Sequence, residues 1–259
     1  MKALILAAGY ATRLYPLTLH TPKSLLKIKN RPILDYIVDK VEAIKEIDRI
    51  MIVSNDKFYP EFSNWLNTRL NNGFRRLKLI NDGSRSQEDK LGAVVDMNLA
   101  INRETINDDL LIVAGDNLFD FNLREFINFA LPKKPYHSIG LYMANNHPDL
   151  TRFGIAQLHS NAEVFNFEEK PDFPKSNLIA TCIYFIPKEK LYLVSKYLES
   201  GQNNDTPGSY IKWLTQNDKV YGKIFDGLWL DLGDFESLSE AVITLNGDKT
   251  RSRGVYQHE

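Results

Sequence analysis

The chain has one cysteine, Cys182, in 259 residues. An intrachain disulfide framework is therefore excluded, and a reducing compartment, the cytoplasm, is the expected location. It also lacks an excess of either charge, since 32 lysines and arginines face 33 aspartates and glutamates. No broad basic surface exists for a nucleic-acid backbone and no polybasic tail for anionic lipid, so neither nucleic acid nor membrane is an expected partner. Long apolar runs are missing too: Ala3–Ala8 is too short to span a bilayer or to act as a signal core, and it ends at a glycine turn. Clusters of histidine and cysteine for zinc are absent. No fixed-period repeat, low-complexity tract or Gly/Ser/Pro-rich linker divides the chain. One domain over residues 1–246, with 247–259 as a C-terminal tail, is expected.

What is present is a rhythm. Apolar runs at Ala3–Ala8, Ile50–Val53, Leu77–Ile80 and Leu110–Ala114 alternate with segments long enough for helices. That alternation predicts a parallel sheet with helical crossovers. Ile33, Ile37, Val38, Val41 and Ile44 recur at helical spacing behind Pro32, and Phe58–Leu70 and Leu91–Ile101 read the same way. After Pro135 the runs become closely spaced: Ser138–Met143, Gly154–Leu158, Val164–Glu168 and Ile179–Ile186, with helices near Lys188–Leu198 and Ser209–Thr215. This half predicts a mixed sheet, and Gly201–Gly208 a surface loop.

The first strand runs into Gly9-Tyr10-Ala11-Thr12-Arg13-Leu14. Small residues let main-chain N–H groups approach phosphate oxygens, and arginine adds a forked donor matched to them. Thr12 offers a hydroxyl, and Lys23 follows in Thr21-Pro22-Lys23. An ordinary strand-to-loop turn with two surface cations is the competing reading. The dinucleotide fingerprint is excluded by Ala11 and Leu14, and no Walker loop is present.

Two carboxylates close apolar runs beside glycine: Asp116 in Val113-Ala114-Gly115-Asp116-Asn117, and Asp231 in Trp229-Leu230-Asp231-Leu232-Gly233. Hard oxygen ligands of this kind suit magnesium. A strand-end aspartate is also a common cap or turn residue, so either one alone carries little.

Taken together, these segments resemble the sugar-phosphate nucleotidylyltransferase family. Its signature Gly-x-Gly-Thr-Arg-Leu, Pro-Leu-Thr, Pro-Lys is nearly reproduced by Gly9–Leu14, Pro16-Leu17-Thr18 and Pro22-Lys23, with Ala11 in place of a glycine. The resemblance runs from Met1 to Ala241 and comes nearest in motifs to the glucose-1-phosphate thymidylyltransferase branch. It implies a Rossmann-like α/β fold of the nucleotide-diphospho-sugar transferase type, with a mostly parallel central sheet flanked by helices and a mixed-sheet sugar-binding half. It implies magnesium on Asp116 and Asp231, and catalytic roles for Arg13 and Lys23 as well. The nucleoside triphosphate side would comprise Ala8, Gly9, Ala11, Thr12, Arg13, Lys23, Gln87 and Gly92. The acceptor side would comprise Asn117, Gly154, Glu169, Lys170 and Cys182, where Cys182 stands in the place of a glycine usual in that branch.

The implied reaction transfers a nucleoside monophosphate from dTTP, UTP or CTP to a sugar 1-phosphate and releases pyrophosphate. Two alternatives stand beside it: a cytidylyltransferase for phosphocholine or a polyol phosphate, and a silent nucleotide-sensing homologue. A homo-oligomer is left open.

Overall fold

The computed structural model describes residues 1–145, 147 and 149–245; the expected tail, 247–259, lies outside the described residues. A nine-stranded sheet forms its centre. Strand β1 (Lys2–Leu6) opens it, and after the short hairpin of β2 (Lys27–Ile28) and β3 (Arg31–Pro32), helix α1 (Ile33–Glu42) crosses to β4 (Arg49–Ser54). Helix α2 (Tyr59–Asn71) leads to β5 (Leu77–Asn81), and α3 (Ala93–Arg103) to β6 (Leu110–Ala114). β1 pairs in parallel with β4 on one side and β6 on the other, and β4 pairs in parallel with β5. The crossover rhythm of the sequence thus produces the parallel sheet expected from it.

Both faces of these strands are covered, which is why their sequences are continuously apolar rather than alternating. Ala3, Ile5, Ile50, Ile52, Leu111 and Val113 join one core with Ile37, Val38 and Val41 of α1 and Phe62 of α2. Leu4, Met51, Val53, Leu110 and Ile112 join the other with Val94 and Met97 of α3. The period of two along a strand divides neighbouring residues between the two cores.

The second half is mixed, as its closely spaced runs predict. The short strand β7 (Asn117–Phe119) and helix α4 (Leu123–Ala130) precede β8 (His137–Met143), β9 (Gly154–Leu158), β10 (Val164–Glu169) and β11 (Leu178–Ile186). β11 runs antiparallel to β6 and so joins this half to the parallel strands. Helices α5 (Tyr192–Glu199) and α6 (Pro207–Asn217) follow, then β12 (Val220–Phe225), β13 (Trp229–Asp231) and α7 (Phe235–Leu245). The sequence reading did not separate out β7, α4, β12 or β13.

One expectation needs correction. The stretch 201–208 is not simply a surface loop, because Pro207 and Gly208 begin α6 and the residues before them cap α3. Gly92, at the start of α3, has no side chain to satisfy the first N–H groups. The carbonyls of Asp205 and Asn204 do so instead, accepting from Ala93 N (3.3 Å) and Val94 N (3.1 Å).

Candidate active site

A cavity of about 690 Å³ opens where the carboxyl ends of β1 and β6 meet the mixed half. Ligands bind at this end of open α/β sheets. Its wall on one side is the turn after β1. Asn55, fully buried, donates from Nδ2 to Ala8 O (2.9 Å), and Thr18 Oγ1 donates to Ala11 O (2.8 Å), fixing both ends of the turn. Gly9 through Thr12 donate no main-chain hydrogen bond among the described residues, leaving these N–H groups available to an anion. Ala11 sits in the left-handed region (φ 49°) where glycine costs least. Its methyl group is therefore accommodated with backbone strain. Arg13 is exposed beside the turn and holds no ion pair among the described residues.

The two strand-end aspartates meet through a pairing that local sequence does not announce. β13 lies antiparallel to β7 with Asp231 opposite Asn117, so Asp231 arrives beside Asp116. Gly115 makes the approach possible: its N–H donates to Leu6 O (2.8 Å), and a Cβ there would lie 2.8 Å from that oxygen. Lys23, almost wholly buried, puts Nζ 2.7 Å from Asp116 Oδ2 and 3.9 Å from Asp231 Oδ1. Burial, then the charge of Asp116, push the Asp231 carboxyl up to about 6, while Lys23 and Arg152 pull it down. Two carboxylates that repel each other around one cation suit a divalent ion, which takes one or two carboxylates and completes its shell with water and phosphate. The residues present fit magnesium.

The opposite wall belongs to the mixed half. Gly154 lies so close to β10 that a Cβ there would be 2.5 Å from the Phe167 ring and 3.0 Å from Glu169 Oε2. A Cβ on Gly208 would overlap the same carboxylate, so Glu169 lies against the first turn of α6. Burial pushes its carboxyl up, and Lys170 and Thr206 pull it down. Lys170 is exposed, with a left-handed backbone (φ 47°), and holds no ion pair among the described residues.

Cys182 lines this wall at φ 53°, within an irregular register of β11 against β8. Asn117 donates from Nδ2 to Thr181 O (2.6 Å), tying β7 to that irregularity. Its amide nitrogen is thereby engaged in holding the wall. Burial pushes the Cys182 thiol well up, which removes it as a nucleophile.

All fifteen residues expected from the sequence border this one cavity: Ala8, Gly9, Ala11, Thr12, Arg13, Lys23, Gln87, Gly92, Asp116, Asn117, Gly154, Glu169, Lys170, Cys182 and Asp231. Others that sequence reasoning gave no role border it too. Arg152 pairs with Asp234 (2.7 Å) and faces Asp231 across Gly233. Asp82 and Asp96 stand together at the far end, beside Gln87 and Gly92. Asp96 had no distinguishing signal, because an aspartate in the first turn of a helix is an ordinary complement to its dipole.

The nucleotidyl transferase family model matches residues 2–246. The chain belongs to the nucleotidyl transferase family. It is 29% identical over 236 residues to the bifunctional protein GlmU of Methanocaldococcus jannaschii, covering 90% of this chain and 51% of that protein. It is 28% identical over 248 residues to glucose-1-phosphate thymidylyltransferase of Neisseria meningitidis, covering 93% of this chain and 81% of the other. The chain thus spans about half the length of the GlmU relative it matches. A solved Bacillus anthracis structure, of a chain provisionally named a glucose-1-phosphate thymidylyltransferase, superposes with a TM-score of 0.78 at 24% identity. That match covers 100% of this chain and 98% of the other. At this identity it speaks for the fold alone, an α/β sheet flanked by helices. No helix among the described residues is long and apolar enough to cross a membrane.

Proposed function

We propose that this chain transfers a nucleoside monophosphate from a nucleoside triphosphate to a sugar 1-phosphate and releases pyrophosphate. The observation that carries the reading is the meeting of Asp116, Asp231 and Lys23 between the Gly9–Arg13 turn and the Glu169–Lys170 wall. A cation site between an anion-binding turn and a second cationic wall suits the joining of two phosphates.

The incoming phosphate oxygen is already anionic at neutral pH, so direct in-line attack on the α-phosphorus requires no enzyme nucleophile. The free N–H groups of the turn, with Arg13, hold the triphosphate and stabilise charge on the leaving pyrophosphate. Lys23 offers the same to the α-phosphate, and Lys170 holds the acceptor phosphate. Glu169, fixed against α6, accepts from acceptor hydroxyls. Magnesium held by Asp116 and Asp231 would supply further neutralisation of the phosphates.

The Cys182 side chain favours a second reading, because it borders the acceptor wall where glycine is usual in the branch the sequence resembles. A smaller acceptor such as phosphocholine or a polyol phosphate fits a narrowed wall. Pyrophosphate release, measured with magnesium across the common nucleoside triphosphates against sugar 1-phosphates, phosphocholine and polyol phosphates, tests both readings. Release with a sugar 1-phosphate supports the first and release only with the smaller acceptors the second; release with no pair overturns both.

A further inference from the structure

Lys23 already holds the two carboxylates that a divalent ion would need. Its Nζ lies 2.7 Å from Asp116 Oδ2 and 3.9 Å from Asp231 Oδ1, and it has no further ion-pair partner among the described residues. The three side chains differ in exposure: that of Lys23 is 10% exposed, those of Asp116 and Asp231 36% and 30%. The carboxylates are open to the cavity, and the ammonium is the recessed member.

The backbone fixes all three. Pro22 (φ −64°) leads into the short turn Lys23–Leu25, where Leu25 N donates to Pro22 O (2.9 Å) and Leu26 N to Lys23 O (3.0 Å). Asp116 follows Gly115, whose N–H donates to Leu6 O, and Asp231 is registered opposite Asn117. Neither carboxylate can back away from the other without breaking a pairing of the sheet, whereas the lysine stem is flexible. When the site rearranges, the ammonium is the group that moves.

A divalent ion of magnesium's size binds carboxylate oxygen at about 2.1 Å and an ammonium at about 2.7–2.9 Å. Both cations on the same carboxylates would lie close together, and like charges at that range repel strongly in a partly buried site. With the ammonium in place, the pair offers an incoming ion one net negative charge instead of two. A triphosphate changes this balance. Laid on the Gly9–Arg13 turn, it brings phosphate oxygens into the cavity that Lys23 borders, and the ammonium exchanges a carboxylate for a phosphate without losing an anionic partner. We propose that Lys23 keeps a lone divalent ion off Asp116 and Asp231, and that the pair takes the ion as a triphosphate draws the ammonium away. Metal and triphosphate then raise each other's affinity at the site, because one movement of Lys23 serves both.

The inference rests on the proposed metal site, and metal binding without substrates separates it from the proposed transfer. Mn2+, whose unbound fraction is read by electron paramagnetic resonance, is titrated into the full chain with neither triphosphate nor acceptor. The unsubstituted chain is expected to load the pair only at millimolar Mn2+. Lys23→Met removes the charge and keeps an unbranched stem, and should bind Mn2+ tenfold or more tightly than the parent, the fold-change that about 1.4 kcal/mol represents. Adding Asp231→Asn to Lys23→Met should abolish the gain, which places the ion on the pair. Lys170→Met, which removes an exposed cation from the same cavity, should change the affinity by less than about twofold. A merely structural role for Lys23 predicts the reverse: weaker binding as the carboxylates lose their support. A Lys23→Met protein that melts cooperatively and binds Mn2+ no more tightly than the parent overturns the inference, and so does an equal gain in Lys170→Met. Micromolar binding by the unsubstituted chain that Asp231→Asn abolishes overturns it too, and decides the matter even where Lys23→Met does not fold. Pyrophosphate release by the unsubstituted chain, measured separately, decides the proposed transfer whatever the metal titration shows.

Discussion

Two aspartate pairs border one cavity and differ in what lies beside them. Asp116 and Asp231 share the Lys23 ammonium, whereas Asp82 and Asp96 have no ion-pair partner among the described residues, and burial, then the charge of Asp82, push Asp96 up to about 8. The first pair can remain charged and accept a divalent ion. In the second, Asp96 stays mostly protonated at neutral pH. The first pair is about a third exposed and Asp96 only 5%, so counterion and burial together decide which chemistry each pair supports.

The largest effect is expected from Asp231→Asn, which leaves Asp116 as the one carboxylate of the proposed metal site. Turnover should fall by about 100- to 1,000-fold while the melting temperature is unchanged or higher, since repulsion with Asp116 is relieved. Near-normal pyrophosphate release would remove Asp231 from the site.

Lys23→Met erases the difference between the pairs. Loss of a charged hydrogen bond at a partly exposed site should cost about 1–2 kcal/mol near pH 8. The part of the loss that comes from the attraction to Asp231 at 3.9 Å should fade as pH falls through about 6, where Asp231 takes up its proton. Urea unfolding at pH 5 and pH 8 checks this; an equal loss at both pH values would break the comparison.

A smaller effect distinguishes Asp96. Its folded-state value near 8 lies above the ordinary 3.8, so the folded chain keeps a proton that the unfolded chain releases. Its contribution is fully present below about pH 4 and is lost as pH rises to about 8, with a slope of at most about 1.4 kcal/mol per pH unit. Asp96→Asn should flatten that slope. His137 works in the opposite sense: burial pushes it down to about 3, so its contribution is lost as pH falls below the ordinary 6.5. Thermal melts of Asp96→Asn and His137→Gln across pH 4–8 separate the two slopes.

The smallest effects are expected at the strained positions. Ala11→Gly and Cys182→Gly each relieve a left-handed backbone but free the unfolded chain, so stability should change by less than about 1 kcal/mol. If so, a change in triphosphate affinity for Ala11→Gly, or in acceptor KM for Cys182→Gly, reports the lost side chain rather than the fold.

Legibility followed sequence distance. The parallel strands and their crossover helices were readable because apolar periodicity is a local signal. The turn at Gly9–Arg13 was readable for the same reason, with small residues and a cation adjacent in the chain. Asp116 and Asp231 could be named as carboxylates at strand ends, yet their meeting depends on β13 pairing with β7, and neither three-residue strand carries a period of its own. Glu169 was visible as a charge, but its rigid seat against α6 depends on Gly208, which the sequence placed in a surface loop. Asp96 resembled any first-turn aspartate, because its burial beside Asp82 is a property of the packed site.

The sequence by itself determined the order of the parallel strands and their crossover helices, a turn suited to phosphate, and the residue types available for metal and phosphate. Only the tertiary structure decided which carboxylate faces which cation. Backbone preference and apolar spacing act over a few residues, whereas the state of a charge depends on every group that burial brings beside it.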